Sequence, residues 1–376
     1  MSNTLTNVTP KMLAQGVLAL REHAILPRLV NTSYNNLAAM PGAVISVPIP
    51  SAIAARDVTA QEITDSNIDS SPTVALVTLD FWKEAPFHLT DSDDLTQIGF
   101  IPMQASEAIK SLCNAVDSYI LGKHVGIFSH NGAASTTPFA TNLVVAGSAR
   151  TALNGQLAPV DDRFCVIDAA AEGNLLLTDD VLHANLRGDA GGIIKGTVGT
   201  KLGVAFYMDQ NIPSYSPGVG WVTGHTFKGI SLAGTSTISV VPGAGAGAVK
   251  VGDIFAWSGE QYVSTQAASW VSGTAVSLTI YPPLKDATVS ADAFTCYGAT
   301  AYTVNIMAHR DAFAWASRPL GGFQALGNLF QSATDPVSGC ALRLEVSRQH
   351  KQTTFSYDIL GGAGLVRREL ATKILG

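Results

Sequence analysis

The residues in this chain whose types could do chemistry are few and scattered. GAGAGA at 243–248 satisfies the loose form of the glycine pattern that cradles a dinucleotide. A strand-like run, VKVGDIFAW, follows it where a helix N-terminus would be needed to hold the pyrophosphate, so a β turn is the expected structure. DSDD at 91–94 places three aspartates in four residues, without the twelve-residue loop, central glycine and final glutamate of a calcium loop. Ahead of a helix, these acids suit the positive end of its dipole better than a cation. His88, Asp91 and Ser92 have the types of a nucleophilic triad in a span too short to define its geometry. The eight histidines (His23, His88, His124, His130, His183, His225, His309, His350) include no close ligand pair, and a structural or surface role is expected for each. Arg343, Arg348, Lys351, Arg367 and Arg368 form a mildly basic C-terminal region. No aromatic residues interleave there in a stacking pattern, so a solvated face or intersubunit salt bridges are expected rather than a nucleic-acid site. GxxxxGK[ST], HExxH and GxSxG are absent. The chain is therefore expected to be no enzyme, with no catalytic residue, no cofactor and no metal.

Composition points to association instead. Of 376 residues, 47% are apolar and only 14% charged, and the net charge is −6. Charge keeps large proteins apart in solution, so so poorly charged a surface is either sticky or covered. A net negative chain is not built to wrap nucleic acid. Cys113, Cys165, Cys296 and Cys340 form no CxxC and sit in apolar patterns, which predicts buried free thiols and a reducing compartment. The N-terminus, MSNTLTNVTPKML, has no basic region followed by an apolar run, so no signal peptide is expected. No segment approaches ~18 uninterrupted apolar residues, so no membrane span is expected.

The elements read as follows. Residues 98–125 carry the longest helical pattern, with Ile109, Leu112, Cys113, Val116, Tyr119 and Ile120 on one face, Pro102 in the first turn and Gly122 or Gly126 as the stop. Such a rod is roughly 30–36 Å long. Before it, an amphipathic helix with Leu13, Val17, Leu20, Ala24, Ile25 and Val30 is expected to end at Pro27. AVISVPIPSAIAA and TVALVTLDFWKEAPFHLT, the latter ending at Pro86, read as a long hairpin with a polar tip and no obvious partner in the chain. LVVAGSARTAL is a helix stopped by Asn154 and Gly155, RFCVID a buried strand, AAEGNLLLTDDVLHANL one or two short helices, and GTVGTKLGVAFYMDQNIP a hairpin or bent strand. Residues 222–299 carry only seven charges in 78 positions, with short alternating runs KGISL, STISVV, GDIFAW, EQYVS and AVSLTIY. These predict a small all-β barrel or sandwich inserted between α/β segments. AYTVNIMAHRDAFAWASRPL reads as one long strand, and CALRLEVSRQHK with TTFSYDILGGAGLVRREL as an antiparallel pair.

This order of parts resembles the tailed-bacteriophage major capsid (coat) proteins with the Hong Kong phage ninety-seven fold, and within them the Salmonella-podovirus coat type with an inserted β domain. EAIKSLCNAVDSYIL at 107–121 is similar to the family's spine helix, GTVGTKLGVAFYMDQNIP at 196–213 to its glycine-before-aromatic strand, and VKVGDIFAW at 249–257 to the Gly-Asp turn of the insert. NIMAHRDAFAWASRPL at 305–320 resembles the strand after the insertion, and FSYDILGGAGLVRRELATKI at 355–374 the C-terminal return. The resemblance implies an α+β fold with an N-terminal arm (1–42), an extended hairpin loop (43–90) and a peripheral domain with the spine helix (91–139). It further implies an axial domain in two parts (140–221 and 300–376) around an inserted all-β domain (222–299). It also implies hexamers and pentamers that assemble in the host cytoplasm into an icosahedral shell enclosing double-stranded DNA without sequence-specific binding. Scaffolding and portal proteins are the implied partners, the virion is the location, and no membrane is involved. Some members of the fold cross-link a loop lysine to an asparagine. No lysine lies between Lys11 and Lys83, so a shell without such links is expected. The alternative is a carbohydrate-binding or carbohydrate-hydrolysing β-rich protein using Trp257 and Trp270 with Asp253 and Glu260, which needs an aromatic platform or two facing carboxylates.

Overall fold

A computed structural model describes residues 9–34, 44–50, 53, 55, 72–90, 100–182, 196, 198–222, 224–243, 245–271, 273–297, 300–321 and 329–376. The chain begins with α1 (Thr9–His23) and the short α2 (Leu26–Leu29). The single helix expected to end at Pro27 is thus two. Pro27 lies in the first turn of α2, where its missing N–H leaves no bond unmade. Three strands follow, β1 (Val44–Ile49), β2 (Thr73–Thr78) and β3 (Phe81–Thr90). Next comes α3 (Phe100–Leu121), prolonged by a tight 3-10 turn at Gly122–Gly126. Its 22 residues span about 33 Å, and Ile109, Leu112, Cys113, Val116 and Ile120 are buried along one face, as the spacing predicts, with Tyr119 half-buried. The DSDD segment and most of the hairpin tip lie outside the described residues.

The middle of the chain holds β4 (His130–Gly132), α4 (Val144–Gly155), β5 (Arg163–Ile167), α5 (Ala169–Leu177), α6 (Asp179–Leu182), β6 (Thr200–Lys201), β7 (Val204–Met208) and β8 (Ser214–Tyr215). Asp168 caps α5 by accepting the Ala170 N–H at 3.3 Å. Short strands then succeed one another: β9 (Thr226–Phe227), β10 (Thr237–Val241), β11 (Gly247–Val249), β12 (Ile254–Trp257), β13 (Glu260–Ser264), β14 (Ala268–Trp270), β15 (Val276–Tyr281) and β16 (Thr295–Tyr297). KGISL, expected as a strand, is irregular. The last strands are β17 (Tyr302–His309), β18 (Phe313–Ser317), β19 (Leu329–Thr334), β20 (Ala341–Gln349), β21 (Gln352–Leu365) and β22 (Ala371–Leu375). The long strand expected at 301–320 is therefore broken. A 3-10 turn at Arg310–Ala312 separates β17 from β18, and the two join different sheets.

Two compact units result. One comprises Met1–Arg21, Thr32–Leu112 and Phe313–Val366. Its sheet runs β18-β21-β20-β19, with β3 antiparallel to β21. β3 continues through Pro86 to Thr90 because β21 is its one strand neighbour among the described residues; an edge strand tolerates a residue with no N–H to donate. The base of the expected hairpin forms, β1 antiparallel to β2 with Ile45 opposite Val77, but the rest of its expected second strand is β3, which pairs with β21 instead. The hairpin's expected lack of an intrachain partner is wrong for this base. Ile45, Val47, Val77 and Leu79 are buried with Ala314 and Ala316 of β18. β2 lies against β21 where that strand reads Gly361-Gly362-Ala363-Gly364; a Cβ at Gly362 would stand 2.0 Å from the Thr78 carbonyl oxygen. Arg343 closes the sheet from within, its Nε 2.9 Å from Asp358 Oδ1 and its Nη2 2.5 Å from Oδ2.

The second unit comprises Glu22–Asn31, Cys113–Ala312 and Arg367–Gly376. A mixed sheet runs β4-β22-β17-β5-β7-β6, with β8 also on β17. The β22–β4 and β5–β7 pairs are parallel. Every residue of β5 is buried, so the short apolar run that reads as a core strand is one. Of the eight strands between 226 and 297, β11 pairs separately with β14 and the other six form their own antiparallel sheet, β16-β12-β13-β15-β10-β9. Trp221, Phe227, Phe255, Tyr262, Leu278, Ile280 and Phe294 fill its core. Leu278 and Ile280 point inward while Ser277 is exposed, as the alternation predicts. Cys113, Cys165 and Cys340 are buried and Cys296 half-buried; none of the four forms a disulfide.

Candidate functional site

Among the described residues, those that suggested small-molecule chemistry do not converge. GAGAGA leads into strand β11, so no helix N-terminus meets a phosphate there. Trp270 is buried in the core of the six-stranded sheet and Trp257 packs against that core, which leaves no flat aromatic platform. Asp253 is buried, accepting hydrogen bonds from the Gly218 and Lys250 N–H groups and the Tyr215 hydroxyl, while Glu260 pairs with Lys285 at the surface. These two carboxylates cannot flank a sugar. His88 is exposed; Asp91, Ser92 and His183 lie outside the described residues. His225 is a core histidine. It stacks on Trp221 at 5.1 Å, accepts the Gly243 N–H at Nδ1 and donates from Nε2 to the Gly220 carbonyl. His309 Nδ1 accepts the Asp311 N–H at 3.2 Å. Among the described residues no group of three His, Cys, Asp or Glu could hold a metal, and no helix is long and apolar enough to cross a membrane.

Two arrangements remain. The first is a buried polar joint around Lys373. β22 carries Lys373 beside His130 of the parallel β4, and the lysine is fully buried. Its Nζ reaches the Gly252 carbonyl at 3.4 Å and lies 5.9 Å from the Tyr215 ring centre. His124 and His130 are also buried, their Nδ1 atoms 3.0 Å from the Leu121 and 3.4 Å from the Phe128 carbonyl. A carbonyl can only accept, so each Nδ1 carries the proton and each Nε2 is a bare acceptor without a protein partner. Burial, and then the charge of Lys373, lower His124 to about 4. Burial lowers His130 to about 4 as well, with Lys373 adding to it against the Phe128 hydrogen bond. Burial lowers Lys373 itself to about 7, opposed by the Asp253 charge. Around this knot Gln261 imitates a strand: it accepts the His130 N–H and donates to the His130 carbonyl, both at 2.8 Å. The Tyr281 hydroxyl donates to Glu369, and Arg368 stacks 4.6 Å from the Tyr281 ring centre.

Sealed from solvent, Lys373 can hold sheets together but cannot meet a substrate. Reading the sequence missed it, because a lysine in ATKILG is ordinarily a surface residue; the available signal was a cation flanked by Thr372 and Ile374 in an otherwise apolar strand. Its folded-state pKa lies below its unfolded value, so the neutral amine is favoured above the unfolded pKa and a penalty grows as pH falls toward 7. Lys373→Met should therefore stabilise the protein by about 2–4 kcal/mol at pH 7 and by less near pH 10. Urea titrations at the two pH values check this; a variant that is weaker at pH 7 would show that the ammonium is satisfied in place.

The second arrangement is a surface. With one side of the β1–β2 hairpin buried, the alternation of the strands turns Val44, Ser46 and Pro48 with Val74 and Leu76 outward. Val44 is 49% exposed, Val74 53% and Leu76 64%. Neither strand contains a charged residue. An apolar face with no charge to solvate it is an association surface.

No protein-family model matches the chain, and no curated relative matches it. Solved structures do. The chain is similar to one of Mycobacterium phage Che8 at 15% identity and a TM-score of 0.53, over 93% of this chain and 90% of that one. It is similar at 10% identity and a TM-score of 0.49 to a chain in the capsid structure of the Cyanophage P-SCSP1u, over 93% and 87% of the two chains. The same identity and TM-score relate it to a chain in the capsid of Ralstonia phage GP4, over 92% and 86%. At 15% identity the likeness to the phage Che8 chain is one of fold.

Proposed function

We propose that this chain is the major capsid protein of a tailed bacteriophage, a structural and non-catalytic subunit that assembles with copies of itself into an icosahedral shell around double-stranded DNA. The observation that carries this reading is the uncharged outward face of the β1–β2 hairpin, whose inward face is already satisfied. An apolar strand pair exposed in one subunit is buried economically when every copy presents it to the next, and interfaces of this permanent kind can exceed ~2,000 Å². The fold likeness to the phage Che8 chain over nearly the whole length supports it. On this reading residues 1–42 are an arm, 43–90 an extended loop, 91–139 a peripheral domain whose spine is α3, and 140–221 with 300–376 an axial domain. Residues 222–299 are the inserted domain. Hexamers and pentamers form in the host cytoplasm with scaffolding and portal proteins as partners, and the loop makes no lysine cross-links.

Size-exclusion chromatography and negative-stain imaging of the purified chain test the proposal. Megadalton particles, rings or sheets are expected, dissolving on denaturing electrophoresis into a single band. A steady monomer would overturn it. The sugar-binding reading predicts that monomer together with affinity for a polysaccharide, and the burial of Trp270 and Asp253 speaks against it.

A further inference from the structure

α2 begins without a cap of its own: Ile25, at its N-cap position, makes no side-chain hydrogen bond there. Its first N–H groups are taken by a residue nearly a hundred positions away. Asp117 of α3 accepts the Leu26 N–H at 3.0 Å through Oδ1 and the Ile25 N–H at 3.2 Å through Oδ2. Pro27 has no N–H, so these two bonds complete the first turn. The carboxylate is buried, and so is that of Asp209, just after β7, whose charge acts on it. Asp209 Oδ1 accepts the Asn211 backbone N–H at 2.8 Å and the Asn211 side-chain amide at 2.9 Å. Asp209 Oδ2 is buried without a partner. Out of water and beside that second charge, the Asp117 carboxyl keeps a proton at low cost and loses it at high cost.

We propose that Asp117 is a proton-operated latch: with its carboxyl protonated, segment 22–31 is docked on α3, and loss of that proton loosens it. Burial of Asp117, and next the Asp209 charge, raise it to about 7; the Ile25 and Leu26 hydrogen bonds and, last, the Arg28 charge from α2 oppose the rise. The sign follows. A carboxyl whose docked-state pKa lies above its solvated value stabilises the docked state below the solvated pKa, and that stabilisation is lost as pH rises through about 7. Ionised Asp117 still accepts the two N–H groups, but beside Asp209 and out of water the second negative charge costs more than those bonds return. Opening readmits water to both carboxylates.

Hydrogen exchange of the purified chain between pH 4.5 and 8.5 tests the latch, with rates corrected for the intrinsic pH dependence of exchange and α4 amides as the internal standard. Protection across 24–30 should fall by up to about tenfold per pH unit between pH 5 and 7, the limit for one coupled proton, and level off above pH 7, while α4 stays level throughout. Asp117→Asn should flatten the profile at a lower plateau, since one amide oxygen replaces two acceptors. Asp209→Asn removes the repulsion and leaves the burial of Asp117, so it should shift the fall to lower pH without abolishing it. A level wild-type profile between pH 5 and 7 overturns the proposal, and so does a fall that survives Asp117→Asn. The wild-type profile decides the matter even if a variant does not fold.

Discussion

Gly362→Ala is expected to destabilise the unit containing β21 by about 3 kcal/mol or more, a large effect for one methyl group. The added Cβ would stand 2.0 Å from the Thr78 carbonyl oxygen and 2.7 Å from its carbon, backbone atoms that cannot rotate away. Relief requires β2 to lift from β21, and Val77 and Leu79 would leave the core they share with Ala314 and Ala316. Gly364 is held by the same crossing, with Val77 2.9 Å from its would-be Cβ, and Gly361 is held from β18 by Trp315 at 2.5 Å. Gly147 in the interior of α4 is the control. Nothing lies within 4 Å of a Cβ there, so Gly147→Ala should stabilise by about 1 kcal/mol through helix propensity. Calorimetry that follows the units separately checks both, and a Gly362→Ala protein melting with the wild type would show that β2 does not cross β21 this closely.

Leu76→Asp is expected to leave the subunit folded and abolish its assembly. Leu76 is 64% exposed, so the substitution should change subunit stability by no more than about 0.5 kcal/mol. At a contact between copies the same carboxylate would be stripped of water without a partner, at several kcal/mol for every subunit in the shell. Val77, its neighbour, faces the other way and is buried, so Val77→Asp should instead unfold the subunit. Circular dichroism and particle imaging separate the two outcomes. Normal particles from Leu76→Asp would mean that the hairpin's outer face is not what joins the copies.

Much of the local structure could be read in advance. The helix at 100–121 announced itself through 3.6-residue spacing, β15 through alternation and β5 through a short apolar run, because each burial pattern is written within one element. The errors came where a residue's meaning depends on a distant neighbour. Pro86 reads as a strand breaker, yet at an edge its missing N–H costs nothing. Arg310–Ala312 reads as strand, yet there the chain turns from one sheet into another.

The sequence by itself determined that this chain is poor in charge, without GxxxxGK[ST], HExxH or GxSxG, and built of a long helix, a hairpin and a run of short strands. Composition and periodicity are local properties, and no fold can alter them. Only the tertiary structure decided that the hairpin has one satisfied face and one bare one, because its seat is a row of glycines nearly three hundred residues later. It also decided that Lys373 and Asp117 are buried among other ionisable groups. Desolvation and repulsion depend on what the fold brings within a few ångströms, and for both residues those neighbours come from remote parts of the chain.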